Sequence, residues 1–148
     1  MRSAMPTLVE FGGRRLKVGV PPGWDELPPL PGVPLLAREV DGGGRGRFRS
    51  NLTVSAGPLD ALPELDPRQA GDALAAELHG VLIDALPADG GALLVVAHDV
   101  GAGEVVCVQR QLRVTDHTFA VTYTVAVDRF TDEQPELIRL ARAVRPAP

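Results

Sequence analysis

From residue 117 to 127 apolar and small or polar positions alternate without a break. Phe119, Val121, Tyr123, Val125 and Val127 fall on one side, and Thr118, Ala120, Thr122, Thr124 and Ala126 on the other. That two-residue period is the mark of a strand with one face in a core. The two segments before it, ALLVVAHDV (92–100) and EVVCVQRQLRV (104–114), also read as strands. The links between them, Gly101-Ala102-Gly103 and Thr115-Asp116, are too short for a parallel return, which takes about a dozen residues. The three segments therefore predict an antiparallel meander.

A change of period marks the segment before the meander. In LDPRQAGDALAAELHGVLIDAL (65–86), Ala70, Leu74, Leu78, Val81, Leu82 and Leu86 recur at three- and four-residue spacing, which predicts one amphipathic helix. Asp66 is placed to cap it, Pro67 suits the first turn, and Gln69 completes a capping box. Pro87 to Gly91 then form a loop. After the meander, TDEQPELIRLARAV predicts a C-terminal helix over 131–144, capped by Thr131 or Asp132, with Leu137, Ile138, Ala141 and Val144 inward.

Upstream, RLKVGVPPGW (15–24) predicts a strand stopped at Pro21-Pro22-Gly23, with Trp24 packed under the sheet. Four prolines in residues 25–34 predict an extended crossing and no helix. Strands follow at 34–41 and 47–56, joined by GGGRGR as the loop of a hairpin. In the second of these Phe48, Leu52, Val54 and Ala56 face inward, and Arg47, Arg49, Asn51, Thr53 and Ser55 outward. The prediction is a single α+β domain over residues 1–148: an antiparallel sheet of about six strands covered on its apolar side by two helices.

Composition narrows the chemistry. A net charge of -4 and a pI near 5.3 argue against nucleic-acid binding, which needs a basic field. No apolar run approaches the ~20 residues of a membrane span, and the first residues lack the apolar core of a secretory signal; the expectation is a cytoplasmic chain with no membrane insertion. Cys107 is the one cysteine, which excludes a disulfide framework and reads as an inert buried thiol.

Candidate motifs are few. GGGRGR matches neither a P-loop nor a dinucleotide fingerprint and lies between strands instead of before a helix. His79, His98 and His117 lack metal-ligand spacing, and no serine sits in G-x-S-x-G. An enzyme could use only His98-Asp99 or His117, so the expectation is no catalytic residue, no metal and no cofactor. What stands out is a surface. On antiparallel pairing Arg47, Arg49, Asn51 and Thr53 share a side with Gln109, Gln111 and Arg113 and with Thr122 and Thr124, giving a polar sheet face fit for a partner.

Three short stretches carry a resemblance. Pro22-Gly23-Trp24 after the first strand, Phe48-Arg49-Ser50-Asn51-Leu52-Thr53-Val54, and Tyr123 in the last strand before an Ile/Leu helix resemble the PsbP-like α+β sandwich, and within it the actinobacterial LpqN/LpqT and DcrB-like group. The resemblance implies a non-enzymatic scaffold, and relatives of this fold include chaperone-adaptors that hold secretion effectors. Lipoprotein members carry a lipidated cysteine near the start, whereas Cys107 is mid-chain, so anchoring is not carried over. The expected function is a protein-binding module, an adaptor or chaperone, for an unidentified protein partner, with self-association through an exposed edge strand as a further expectation. The alternative is a small-ligand or lipid carrier with a pocket beside Trp24, Phe48 and Tyr123.

Overall fold

The computed structural model of the chain describes residues 4–40, 48–62 and 66–148. It begins with a hairpin in which β1 (Met5–Phe11) and β2 (Arg14–Val20) pair antiparallel across Gly12-Gly13. Both glycines have positive φ, 59° and 78°, as a two-residue turn matched to the strand twist requires. Of the residues in β1 only Val9 is buried, so no alternation marks this strand in the sequence. The chain continues through β3 (Trp24–Leu27), β4 (Leu35–Glu39), β5 (Asn51–Pro58), a single 3-10 turn at Leu59–Ala61, α1 (Pro67–Leu78), β6 (Val81–Ala88), β7 (Gly91–Asp99), β8 (Glu104–Val114), β9 (His117–Ala126), α2 (Val127–Ala143) and β10 (Arg145–Ala147).

Strands β3 to β9 form one antiparallel sheet in the order β3-β4-β5-β9-β8-β7-β6, while β1, β2 and β10 form a second, smaller sheet. The α+β class, the β4-β5 hairpin and the β7-β8-β9 meander agree with the sequence reading. Among the described residues the large sheet has seven strands, in keeping with the expected six or so, and three more form the small sheet. The Pro-rich crossing forms no helix, as expected, but it is not extended throughout: its start pairs with β4 as the edge strand β3, and Leu30 and Val33 bond to each other across a tight turn at Pro31-Gly32, where Gly32 has φ 74°.

The centre of the large sheet is apolar on both faces. Leu93 to Val96 and Val105 to Val108 are all buried, and a strand of that kind needs a cover on each side. On one side Leu137, Leu140 and Ala141 of α2 join Val9, Leu16 and Val18 of the small sheet over Val95, Val106, Val108, Phe119 and Tyr123. On the other, Ala70, Leu74 and Ala75 of α1 pack on Ala92, Leu94, Val96 and Cys107. Each Val or Leu so enclosed stabilises the fold by about 1.5–3 kcal/mol. The two helices thus lie on opposite faces, which corrects the expectation that both cover one. The apolar residues at alternate positions of β7, with Cys107 of β8, draw α1 to the face that β5, β9 and the rest of β8 make polar.

Both helix boundaries also differ from the sequence reading. The α1 N-terminus is as expected: the Gln69 main-chain N–H donates to Asp66 Oδ1 at 2.8 Å, the Asp66 N–H donates back to Gln69 Oε1, and Pro67 opens the first turn. The helix stops at Leu78, however, where His79 takes a left-handed conformation (φ 53°) and the Gly80 N–H donates to Ala75 O at 2.8 Å. Gly80 lies so close to Ala97 O that a Cβ would overlap it, and the chain turns there directly into β6. Val81, Leu82 and Leu86 therefore belong to a strand, and Pro87-Ala88 end it where a loop was expected. At the C-terminal helix, Val127 is already helical, Ala126 stands at the cap without a side-chain bond, and Thr131 and Asp132 lie inside the first turns instead of capping.

Candidate functional site

Because α1 sits over β6 and β7, it leaves the neighbouring rows of the same sheet face open. A trough of about 470 Å³ lies there, floored by β5, β9 and β8 and walled by α1. Sheet register sets the floor. Thr53, Thr122 and Gln109 stand side by side, and Asn51, Thr124 and Cys107 form the next row. Gln111 Nε2 donates to Gln109 Oε1 at 2.8 Å, and Gln109 Nε2 donates to Thr122 Oγ1 at 3.0 Å. These bonds fix the amides in a directed chain that leaves Gln111 Oε1 free to accept and the Thr122 hydroxyl free to donate. The wall is apolar, from Ala73, Leu74 and Leu78, with Glu77 on the helix and His98 on β7. A half-buried trough that is neutral on its floor and apolar on its wall suits an uncharged group with hydrogen-bonding and apolar parts.

The structure brings together five of the nine residues singled out for the polar face: Thr53, Gln109, Gln111, Thr122 and Thr124 all line the trough. Asn51 shares the face but its amide turns to Arg49 O at 3.4 Å. Arg49 is exposed and precedes β5. Arg113 is tied to Leu62 O at 2.9 Å and stands outside the trough lining. Arg47 and the GGGRGR loop lie outside the described residues. The reading of the sequence missed the α1 wall, because that depends on which face the helix covers; Ser55, read as outward with Thr53, also lines the trough.

Cys107 lies in the trough floor with 2% of its surface exposed, and burial pushes its thiol up to about 11. It therefore stays protonated and a poor nucleophile near neutrality. The histidines are dispersed. His79 ends α1, His98 borders the trough, and His117 is held by Asp116 at 2.8 Å and packs edge-on against Phe11. Among the described residues no cluster of three His, Cys, Asp or Glu could hold a metal ion, and no helix is long and apolar enough to cross a membrane.

The aromatic trio of the carrier reading is not gathered in one place. Tyr123 is fully buried, with its hydroxyl donating to Gly19 O at 2.6 Å. Trp24 borders a separate cavity of about 430 Å³ beside Pro21, Val40 and Leu137, and neither Phe48 nor Tyr123 reaches it. Buried Glu39 also borders that cavity. Burial opposes its ionisation, yet bonds from Arg129 and the Ser50 main chain prevail and hold its carboxyl below the usual range. Among the described residues the edges of the large sheet are β3 and β6, and β6 exposes Val81 and Ile83 beside a bulge between Leu82 and Asp84.

Three packed layers, a large antiparallel sheet with α1 on one face and α2 beside a small sheet on the other, define the class. The fold is the PsbP-like α+β sandwich. It is similar to LpqN of Mycobacterium tuberculosis, a protein involved in cell envelope biogenesis, with a TM-score of 0.65 and 13% identity over 97% of this chain and 91% of that one. CyanoP, the PsbP of Synechocystis sp. PCC 6803, superposes with a TM-score of 0.60 and 15% identity over 89% and 86%. PA94 of Pseudomonas aeruginosa, a protein of unknown function, gives 0.55 and 13% over 97% and 98%. No model of a known protein family matches the chain, and no curated protein matches its sequence.

Proposed function

We propose that this chain is a non-catalytic binding module, an adaptor or chaperone, that receives a segment of a protein partner in the trough between α1 and the sheet. The observation that carries this is the fixed Gln111–Gln109–Thr122 hydrogen-bond chain facing the apolar wall of Leu74 and Leu78. A peptide segment offers both halves of the match: main-chain amides for the floor and apolar side chains for the wall. Because the floor is neutral, binding takes no buried ion pair, whose desolvation would offset its attraction. The protonated Cys107 thiol supports a binding role over a nucleophilic one.

Capture of partners from extracts of the native host tests this with two matched substitutions. Gln111→Glu puts a charge in the trough, whereas Gln134→Glu makes the same change on the exposed surface of α2. A partner lost with the first and kept with the second supports the trough. One kept with both contradicts it. A carrier reading has one observation of its own, the Trp24 cavity. Native mass spectrometry of the freshly purified chain tests it, since a carrier retains a mass that Trp24→Ala loses.

A further inference from the structure

We propose that a second cavity, on the face opposite the trough, binds a small molecule through an oxyanion, a carboxylate or a phosphate. This cavity of about 480 Å³ lies between the β6–β7 turn, β8 and the end of α2, and is bordered by Arg110, Arg142, Arg145 and Asp89. Its origin is the alternation of β8: Gln109 and Gln111 point to the trough, so Arg110 between them points the other way.

Arg110 is unusual in its setting. It stands between Leu93 and Val121 on the neighbouring strands, with 2% of its surface exposed. A guanidinium keeps its charge wherever it is placed. Its Nη1 donates to Gln111 O at 2.6 Å and its Nη2 to Asp89 O. Both acceptors are main-chain carbonyls, which take hydrogen bonds but bring no negative charge. Among the described residues its Nε–H has no acceptor, and a buried donor left so favours a ligand that supplies one.

The other two arginines increase the imbalance. Among the described residues, none of Arg110, Arg142 and Arg145 takes part in an ion pair. Asp89 is the single acid on the border and acts on Arg110 through space. Three guanidiniums against one carboxylate leave two positive charges in excess around the cavity, in a chain whose net charge is -4. Apolar walls such as Pro87 and Leu112 concentrate that field. The carbonyls ending α2 oppose an anion, but Arg142 and Arg145 stand at that same end and offset them. Planar guanidinium forks match the paired oxygens of carboxylates and phosphates.

Titration of the folded, 15N-labelled chain with inorganic phosphate, and separately with succinate, tests the proposal, with ionic strength held constant by sodium chloride. The expected result is saturable movement of the Gly90, Arg110, Leu112 and Ala143 amide signals with at least one of the two. In the Arg142→Gln/Arg145→Gln double variant, altered only at exposed positions, Kd should rise at least tenfold. A response to phosphate alone assigns a phosphate-bearing ligand, and one to succinate alone a carboxylate. Response to neither, the same movement with chloride, or an unchanged Kd in the double variant overturns the proposal. The side-chain amides of Gln109 and Gln111 face the trough and should not move, which separates this outcome from that of the trough.

Discussion

Gln109 and Thr122, on neighbouring strands of the large sheet, are joined by a hydrogen bond of 3.0 Å from Nε2 to Oγ1. The bond links the amide half of the trough floor to its hydroxyl half, so its loss should disorder the floor while sparing the fold. Thr122→Val removes the acceptor at nearly constant volume. The expected cost is about 1 kcal/mol, a fall in Tm of roughly 3 °C for a domain of this size, with unchanged far-UV dichroism. A fall above about 10 °C would show that Thr122 supports the core instead of the floor.

Removing a cap should loosen the trough wall. Asp66→Ala deletes the acceptor for the Gln69 N–H and should cost about 1 kcal/mol. Hydrogen exchange should quicken over Pro67–Leu78 while β8 and β9 keep their protection. Equal loss of protection in all three would mean that the wall is not an independent unit.

Two adjacent glycines make a matched pair. Gly12 and Gly13 both have positive φ, but a Cβ on Gly12 would overlap the His117 imidazole, whereas one on Gly13 meets nothing within 4 Å. Gly13→Ala should cost about 1 kcal/mol of backbone strain alone. Gly12→Ala should cost at least about twice that, because it also displaces His117 from Asp116 and Phe11. Equal chemical-denaturation midpoints for the two variants would contradict the packing described.

Acid should act through Asp116. The bond to His117, with that from Arg14, holds its carboxyl down at about 2 against an ordinary 3.8. A carboxyl depressed in the folded state contributes stability that is whole above its unfolded value and is lost as pH falls through the folded one. The stability gap between the wild-type chain and Asp116→Asn should therefore be flat from pH 7 to about 5 and close between about 4 and 2. A gap of the same size at pH 2 would contradict the assignment.

How much of this was legible in the sequence differs by element. The meander was, because Phe119, Val121, Tyr123 and Val125 alternate with small and polar residues and the links are short. The same alternation put Gln109, Gln111, Thr122 and Thr124 on one face of the sheet, but the bond from Gln109 to Thr122 and the pairing of Gln111 with Ala120 depend on a register that alternation alone does not give. Residues 81–88 misled because Leu78, Leu82 and Leu86 keep a four-residue spacing across the His79-Gly80 turn, and periodicity ignores the left-handed residue that ends the helix. β1 left almost no signal with one buried position. The side taken by α1 was written in Leu93 to Val96, apolar at every position and so needing cover on both faces. The polar rows of β5 and β9 mask it, because β7 is apolar on the same face that they make polar.

Hydrogen exchange on the chain alone and with its captured partner tests the central claim most directly. Slowed exchange confined to residues 53–55, 70–78, 107–111 and 120–124 is the predicted result, since these segments form the wall and floor of the trough. Protection over β3 and the Trp24 cavity, with the trough segments unchanged, would contradict it.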